Sequence, residues 1–178
     1  MKKYIILTCS IVILATILLC LHFLNLVIFQ QGTLIKDIDE NIKLIINNEV
    51  SIQKEVEMEK DKYYLFSYID KNAETEKIGL AVYRKFQFSP FYQNIRMEYN
   101  KESYGIDAFT EGNKGDTYTY LTLYGVDRSN KFSNYEILTK YNTIKENIQN
   151  TGVFIKVHKL KNEIILDINM YDVNGKKI

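Results

Sequence analysis

Residues 163–172 read EIILDINMYD. From Ile164 the apolar residues fall at every second position, Ile164, Leu166, Ile168 and Met170, with Asp167 and Asn169 between them. Side chains alternate across a strand, so this spacing predicts a β-strand with one apolar and one polar face. The preceding run, TGVFIKVHKL (151–160), repeats the pattern, with Val153, Ile155 and Val157 opposing Lys156 and His158.

The same signal recurs back towards residue 62, in KYYLFSYI (62–69), KIGLAVYRKF (77–86), YQNIRMEYN (92–100), YGIDAFT (104–110), TYTYLTLYGV (117–126) and NYEILTK (134–140). Each run is rich in β-branched residues or tyrosine, which suit a pleated sheet. Turn clusters separate them, among them Asp70-Lys71-Asn72, Glu111-Gly112-Asn113-Lys114-Gly115, Asp127-Arg128-Ser129-Asn130 and Asn174-Gly175. The single proline, Pro90, sits in the connector FQFSPFYQ, where it interrupts no ladder. Tyr141 to Gln149 fits no one period, because Ile144 and Ile148 also suit a short helical turn. Short strands at this spacing predict an antiparallel, sandwich-like domain of about eight or nine strands. The fold class is therefore mainly β, or α+β by strict count.

Ahead of the strands, Leu34 to about Asn48 reads LIKDIDENIKLIINN, with Ile35, Ile38, Ile42 and Ile45 at helical steps. Thr33 is placed to cap this helix, Asp37, Asp39 and Glu40 suit its positive end, and Asn47-Asn48 suits its stop. A heptad continued from these isoleucines meets Glu49, so a helix on its own domain is expected before a dimerisation stalk. Ser51 to Lys62, SIQKEVEMEKDK, is charged enough to be a solvated strand edge or a connector.

Tyr4 to Phe29 is a different material: about 26 residues without a charge, enough for a tilted span of a hydrocarbon core about 30 Å thick. Its histidine and asparagine, His22 and Asn25, lie towards the far end, where a polar side chain costs less than at mid-bilayer. Lys2 and Lys3 precede it, and the next basic residue is Lys36. The positive-inside rule then leaves the N-terminus in the cytoplasm and the C-terminal domain outside, as a single-pass protein of the cell membrane. A cleavable signal peptide fits less well, because the run is long and its exit, Phe29-Gln30-Gln31-Gly32-Thr33, has no small-residue cleavage site. A lipoprotein leader would want a small residue where Leu19 precedes Cys20. The expected organisation is a cytoplasmic tip (1–3), a transmembrane signal-anchor (4–29), a juxtamembrane helix and connector (30–61) and an extracytoplasmic β domain (62–178).

Composition then excludes much chemistry. Both cysteines, Cys9 and Cys20, lie in the apolar run, so the part beyond it has no disulfide and no thiolate metal site. Without Lys2 and Lys3 the 23 basic residues become 21, against 22 acidic ones. No basic field invites nucleic acid or anionic lipid. The only histidine beyond the anchor is His158, no serine stands in a nucleophile elbow, and no glycine-rich phosphate cradle occurs. Asp70-Lys71-Asn72-Ala73-Glu74 and Asp172-Val173-Asn174-Gly175 alternate oxygen ligands like calcium loops but lack the remaining positions, so they are expected to be turns. No catalytic residue, metal ligand or cofactor is assigned. Aromatic residues are the remaining bias: they pack in half-buried sheets, but an exposed cluster also holds glycans or protein partners. Phe88, Phe91 and Tyr92, beside Pro90, are the candidate partner contacts, because a loop does not easily bury all of them.

The order of tip, anchor, helix and tyrosine-rich strands goes with YYLFSY (63–68), IGLAVY (78–83), LTLYG (121–125), GVFIKV (152–157) and YDVNGK (171–176). In these respects the chain resembles the small membrane-anchored extracytoplasmic proteins of low-GC Gram-positive bacteria. That resemblance implies a location and a fold, and brings no catalytic residues. The expectation is a non-catalytic, membrane-tethered binding or interaction module with lipid around residues 4–29 and an envelope or membrane protein as partner. Its alternatives are an accessory enzyme acting on wall glycans and a structural subunit of a membrane complex.

Overall fold

The computed structural model of the chain describes residues 12–20, 32–86, 89–113, 115–129, 131–148 and 152–178. Residues 12–20 form a helix (α1) whose large apolar side chains, from Val12 to Leu19, are all more than half exposed. The rest of the expected anchor lies outside the described residues. Among those described, no helix is long and apolar enough to cross a membrane.

The chain then forms a two-residue strand, β1 (Thr33–Leu34), a 3-10 turn (Ile35–Asp37) and helix α2 (Ile38–Ile46). The cap expected of Thr33 is not made. Thr33 pairs with Tyr92 instead, and Asp37 stands at the helix N-cap without a side-chain hydrogen bond. The expected stop is used: Asn47 adopts a left-handed φ of 56° and its N–H bonds to the Lys43 carbonyl. Asparagine tolerates that conformation better than branched residues do.

Among the described residues beyond α2, every strand pairs antiparallel: β2 (Val50–Met58), β3 (Asp61–Asp70), β4 (Thr75–Lys85), β5 (Phe91–Lys101), β6 (Tyr104–Asn113), β7 (Asp116–Val126), β8 (Phe132–Thr139), β9 (Thr143–Asn147), β10 (Val153–Lys161) and β11 (Ile165–Asp172). All eight predicted runs are strands. The charged 51–62 stretch supplies β2, an edge strand, and the ambiguous 141–149 stretch supplies β9 rather than a helical turn.

The strands make three sheets, ordered β1-β5-β4-β3-β2, β10-β7-β6 and β11-β8-β9. Among the described residues, the β domain expected over 62–178 holds nine strands, β3 to β11, matching the expected eight or nine; β1 and β2 precede it, and the eleven strands form three sheets. Alternation shows which side chains share a face but not what covers that face. On β3, Tyr64, Phe66 and Tyr68 pack under Ile38 and Ile42 of α2, while Tyr63 and Leu65 face the second sheet. On β7, Tyr124 faces the first sheet while Leu121 and Leu123 meet Phe132, Tyr135 and Met170 of the third. The order of layers is α2, first sheet, second sheet, third sheet. Burial on both faces explains why β3 is buried continuously from Asp61 to Tyr68.

The run at 163–172 also needs a correction. The pairing with β8 slips between Ile165 and Asp167, leaving Leu166 as the extra residue. Ile165, Ile168 and Met170 therefore pack inward, while Ile164 and Leu166 are 57% and 60% exposed. One inserted residue reverses a face, since the side-chain period is two.

Candidate functional site

Polar chemistry collects in three places. The first is the seam between the first and second sheets. Arg84 on β4 grips Asp61 on β3 with Nε and Nη2, both at 2.7 Å, and Glu111 on β6 with Nη1 at 2.7 Å and Nη2 at 3.0 Å. A planar guanidinium suits such double two-pronged contact, which an ammonium does not reproduce. Nearby, the pairing of β4 with β5 slips between Val82 and Tyr83, so that Arg96 lies opposite Val82 and Asn94 opposite Tyr83, with Ile95 inserted. Cross-strand partners share a face, so this bulge aims Arg96 at the second sheet, where it pairs with the buried Asp107. Arg96 also lies over the Phe109 ring, 5.5 Å from its centroid, and Phe109 stacks on Tyr120 at 4.9 Å.

The turn between β2 and β3 closes this seam. Glu59 holds a left-handed φ of 57°, a strained setting for a residue other than glycine. Its carboxylate accepts from the Tyr120 hydroxyl at 3.0 Å and from Lys159 of β10. Those two donors keep Glu59 below the usual carboxylate range, Lys159 contributing most, and Arg84 does the same for Glu111. A cleft of about 280 Å³, lined by Arg84, Ile95, Arg96, Phe109, Thr110 and Glu111, opens over the seam. Its cations are matched by carboxylates, so it presents no net field. Behind it, Tyr63 and Tyr124 hydroxyls, Thr122 Oγ1, Asp107 Oδ2 and Arg96 Nε are sealed from solvent without a partner among the described residues. Tyr124 lies across Gly105, where an added Cβ would stand 2.3 Å from its ring and hydroxyl.

The second place lies between the second and third sheets. His158 Nε2 is 2.7 Å from the Tyr135 hydroxyl, and Lys156 Nζ is 2.9 Å from Glu146 on β9. Burial lowers the His158 pKa and raises that of Tyr135. A neutral imidazole beside a protonated phenol is a hydrogen-bonded core pair, and the buried phenol is a poor nucleophile. Lys156 and His158 do share a face, as their spacing implies, but that face meets the third sheet rather than water. No group of three or more acidic, histidine or cysteine residues able to hold a metal occurs among the described residues. Asp70 and Asp172 act as turn-formers, accepting the backbone N–H of Asn72, and those of Asn174 and Lys176.

The third place is the outer face of the third sheet. Across it run the rows Tyr171–Asn134–Asn147 and Asn169–Glu136–Lys145, with Asp167–Leu138–Thr143 beside them. A hollow of about 560 Å³ is lined by Asn134, Glu136, Lys145, Glu146, Asn147, Tyr171 and Gly175. Glu136 accepts from the Tyr171 hydroxyl and pairs with Lys145, each at 2.9 Å, and both hold its pKa low, Lys145 first.

The aromatic residues around Pro90 are dispersed. Phe88 lies outside the described residues. Phe91 opens β5 opposite Leu34 and is half-buried, whereas Tyr92 is only 8% exposed and packs with α2. The seam and the hollow were not singled out from sequence. One signal was available: the lysine-rich chain has three arginines, Arg84, Arg96 and Arg128, and each engages a carboxylate. Compared with known proteins, the chain matches no family model, no curated protein sequence and no solved structure.

Proposed function

We propose that the chain is a membrane-tethered, extracytoplasmic binding module without catalytic activity of its own. The observation that carries this reading is α1. Its side chains Val12, Ile13, Leu14, Ile17, Leu18 and Leu19 are 51–72% exposed and belong to the charge-free stretch 4–29. Fully burying one such side chain is worth about 1.5–3 kcal/mol, so a helix like this calls for a lipid or protein cover. Lys2 and Lys3 favour the orientation with the domain outside. The tether confines the domain near the membrane and raises its effective concentration for a ligand there.

One further observation weighs against the structural-subunit alternative. Such a subunit would assemble through the isoleucine face of α2, but Ile38 and Ile42 are 2% and 0% exposed against the chain's own first sheet. The test is fractionation with protease shaving of intact cells. The full chain should sediment with membranes and lose a C-terminal tag to external protease, and removal of residues 1–31 should release it. A full chain that stays in the soluble fraction without detergent overturns the proposal.

A further inference from the structure

We propose that the end of the β domain where the chain enters it rests on the membrane, with Tyr141, Ile164 and Leu166 seated among the lipid headgroups, a reading that rests on the tether proposed above. The turns after β2, β4, β6, β8 and β10 and the entry at β1 all lie at this one end, joined from neighbour to neighbour by hydrogen bonds. Leu34 pairs with Phe91, and the Phe86 N–H bonds to the Phe91 carbonyl. The Lys85 N–H bonds to the Lys60 carbonyl at 3.0 Å, and Glu59 beside it reaches Tyr120 and Lys159. Asn162, after β10, bonds both ways with Thr117 and donates to the Gly115 carbonyl. The Lys140 N–H, after β8, bonds to the Ile164 carbonyl at 2.9 Å.

Exposure alone does not choose an end, since Ile69, Tyr99, Val173 and Ile178 at the opposite end are also exposed. The entry of the chain does choose. Gln30, Gln31 and Gly32 are all that separate Phe29, the last residue of the expected anchor, from Thr33. However they fold, four residue steps reach at most about 14 Å, so β1 and the turns beside it stay close to the bilayer. β1 is an edge of the first sheet. Stacked sheets stand about 10 Å apart, so the turns of the third sheet lie about 20 Å away and make a second foothold that one tether does not provide. Tyr141 is 69% exposed, with Lys140 Nζ 5.2 Å from its ring centroid, and Ile164 and Leu166 stand exposed at the adjoining turn. An amphipathic ring, a lysine whose ammonium stays in water and two aliphatic side chains suit a headgroup layer. Charges at this end are matched, Lys60 with Glu111, Lys159 with Glu59 and Lys161 with Asp116, so the contact is apolar and does not depend on anionic lipid.

The test uses the full chain in neutral phosphatidylcholine vesicles whose acyl chains are brominated near the headgroup. The sequence has no tryptophan, so Tyr141→Trp, Leu166→Trp and Ile69→Trp each carry a single fluorescent reporter. Interfacial side chains reach the headgroup–acyl boundary, so the fluorescence of Tyr141→Trp and of Leu166→Trp should fall at least about twofold against unbrominated vesicles. Ile69→Trp, at the opposite end, should be unchanged. Ile164→Ser with Leu166→Ser, added to Tyr141→Trp, should remove most of its quenching. Circular dichroism melting identifies any variant that fails to fold, and Leu166→Trp carries the test if Tyr141→Trp does. Two silent near-end reporters, equal quenching at both ends, or quenching indifferent to the serine pair overturns the proposal. Vesicle flotation reads the tether separately: a chain that does not float overturns both readings, and a floating chain with silent near-end reporters overturns this one alone.

Discussion

His158 shows how much a single residue takes from its surroundings. Its spacing with Lys156 suggests a solvated strand face, yet the third sheet covers that face and the imidazole meets Tyr135. Burial lowers its pKa from the ordinary value of about 6.5. The unfolded chain therefore binds a proton that the folded chain refuses until the pH falls further. In that window the unfolded state binds more protons, and stability falls as pH falls. The unfolding midpoint in denaturant should accordingly drop between pH 7 and pH 5.5, and His158→Gln should flatten this part of the profile. An unchanged slope in the variant would remove His158 as its source. The carboxylates lowered at the seam, Glu59 and Glu111, act in a separate and more acid range, because their stabilisation is lost only below the unfolded value of about 4.3.

At the scale of elements, the helix was legible from its isoleucine spacing and its stop from Asn47, but its start was not. The 3-10 turn at Ile35–Asp37 and the pairing of Thr33 with Tyr92 depend on β5, nearly sixty residues away in sequence. The packing of α2 yields a sharp prediction. Ile42 is fully buried between the helix and the tyrosines of β3 and β4, while Leu44 is 78% exposed. Ile42→Ala should lower stability by about 2–5 kcal/mol, the range for large-to-small core changes. Leu44→Ala should stay within about 0.5 kcal/mol of the parent, as surface changes do. Equal effects would mean that α2 is not seated on the first sheet. The strand bulges were illegible for another reason: an inserted Ile95 or Leu166 looks the same in sequence as a regular strand residue, and only the partner strand makes it extra.

Across the whole molecule, the seam between the first two sheets joins strands from different hairpins by charge as well as by apolar contact. Arg96 is about a third exposed, but Asp107 is almost fully buried. Removing one partner leaves the other uncompensated, which costs about 3–5 kcal/mol for a buried pair. Asp107→Ala should therefore lose about 3 kcal/mol, the low end because Arg96 reaches solvent. The double variant Arg96→Met with Asp107→Leu should recover much of that loss in denaturant titration of the full chain in detergent. A double variant no better than Asp107→Ala would mean that the pair itself, rather than the orphaned charge, holds the seam. By itself the sequence determined where eight of the eleven described strands run, where α2 stops, that the chain has a long charge-free stretch near its start, and that thiol and multi-histidine chemistry is absent beyond it. Those properties are local: they follow from period, turn residues and composition. Only the tertiary structure decided that the strands divide into three sheets, that Tyr92 is core, that Arg96 turns inward, and that Asn134, Glu136, Lys145, Asn147 and Tyr171 share one open face. Each of these depends on which distant strand lies alongside, and strand alternation carries a face but not its neighbour.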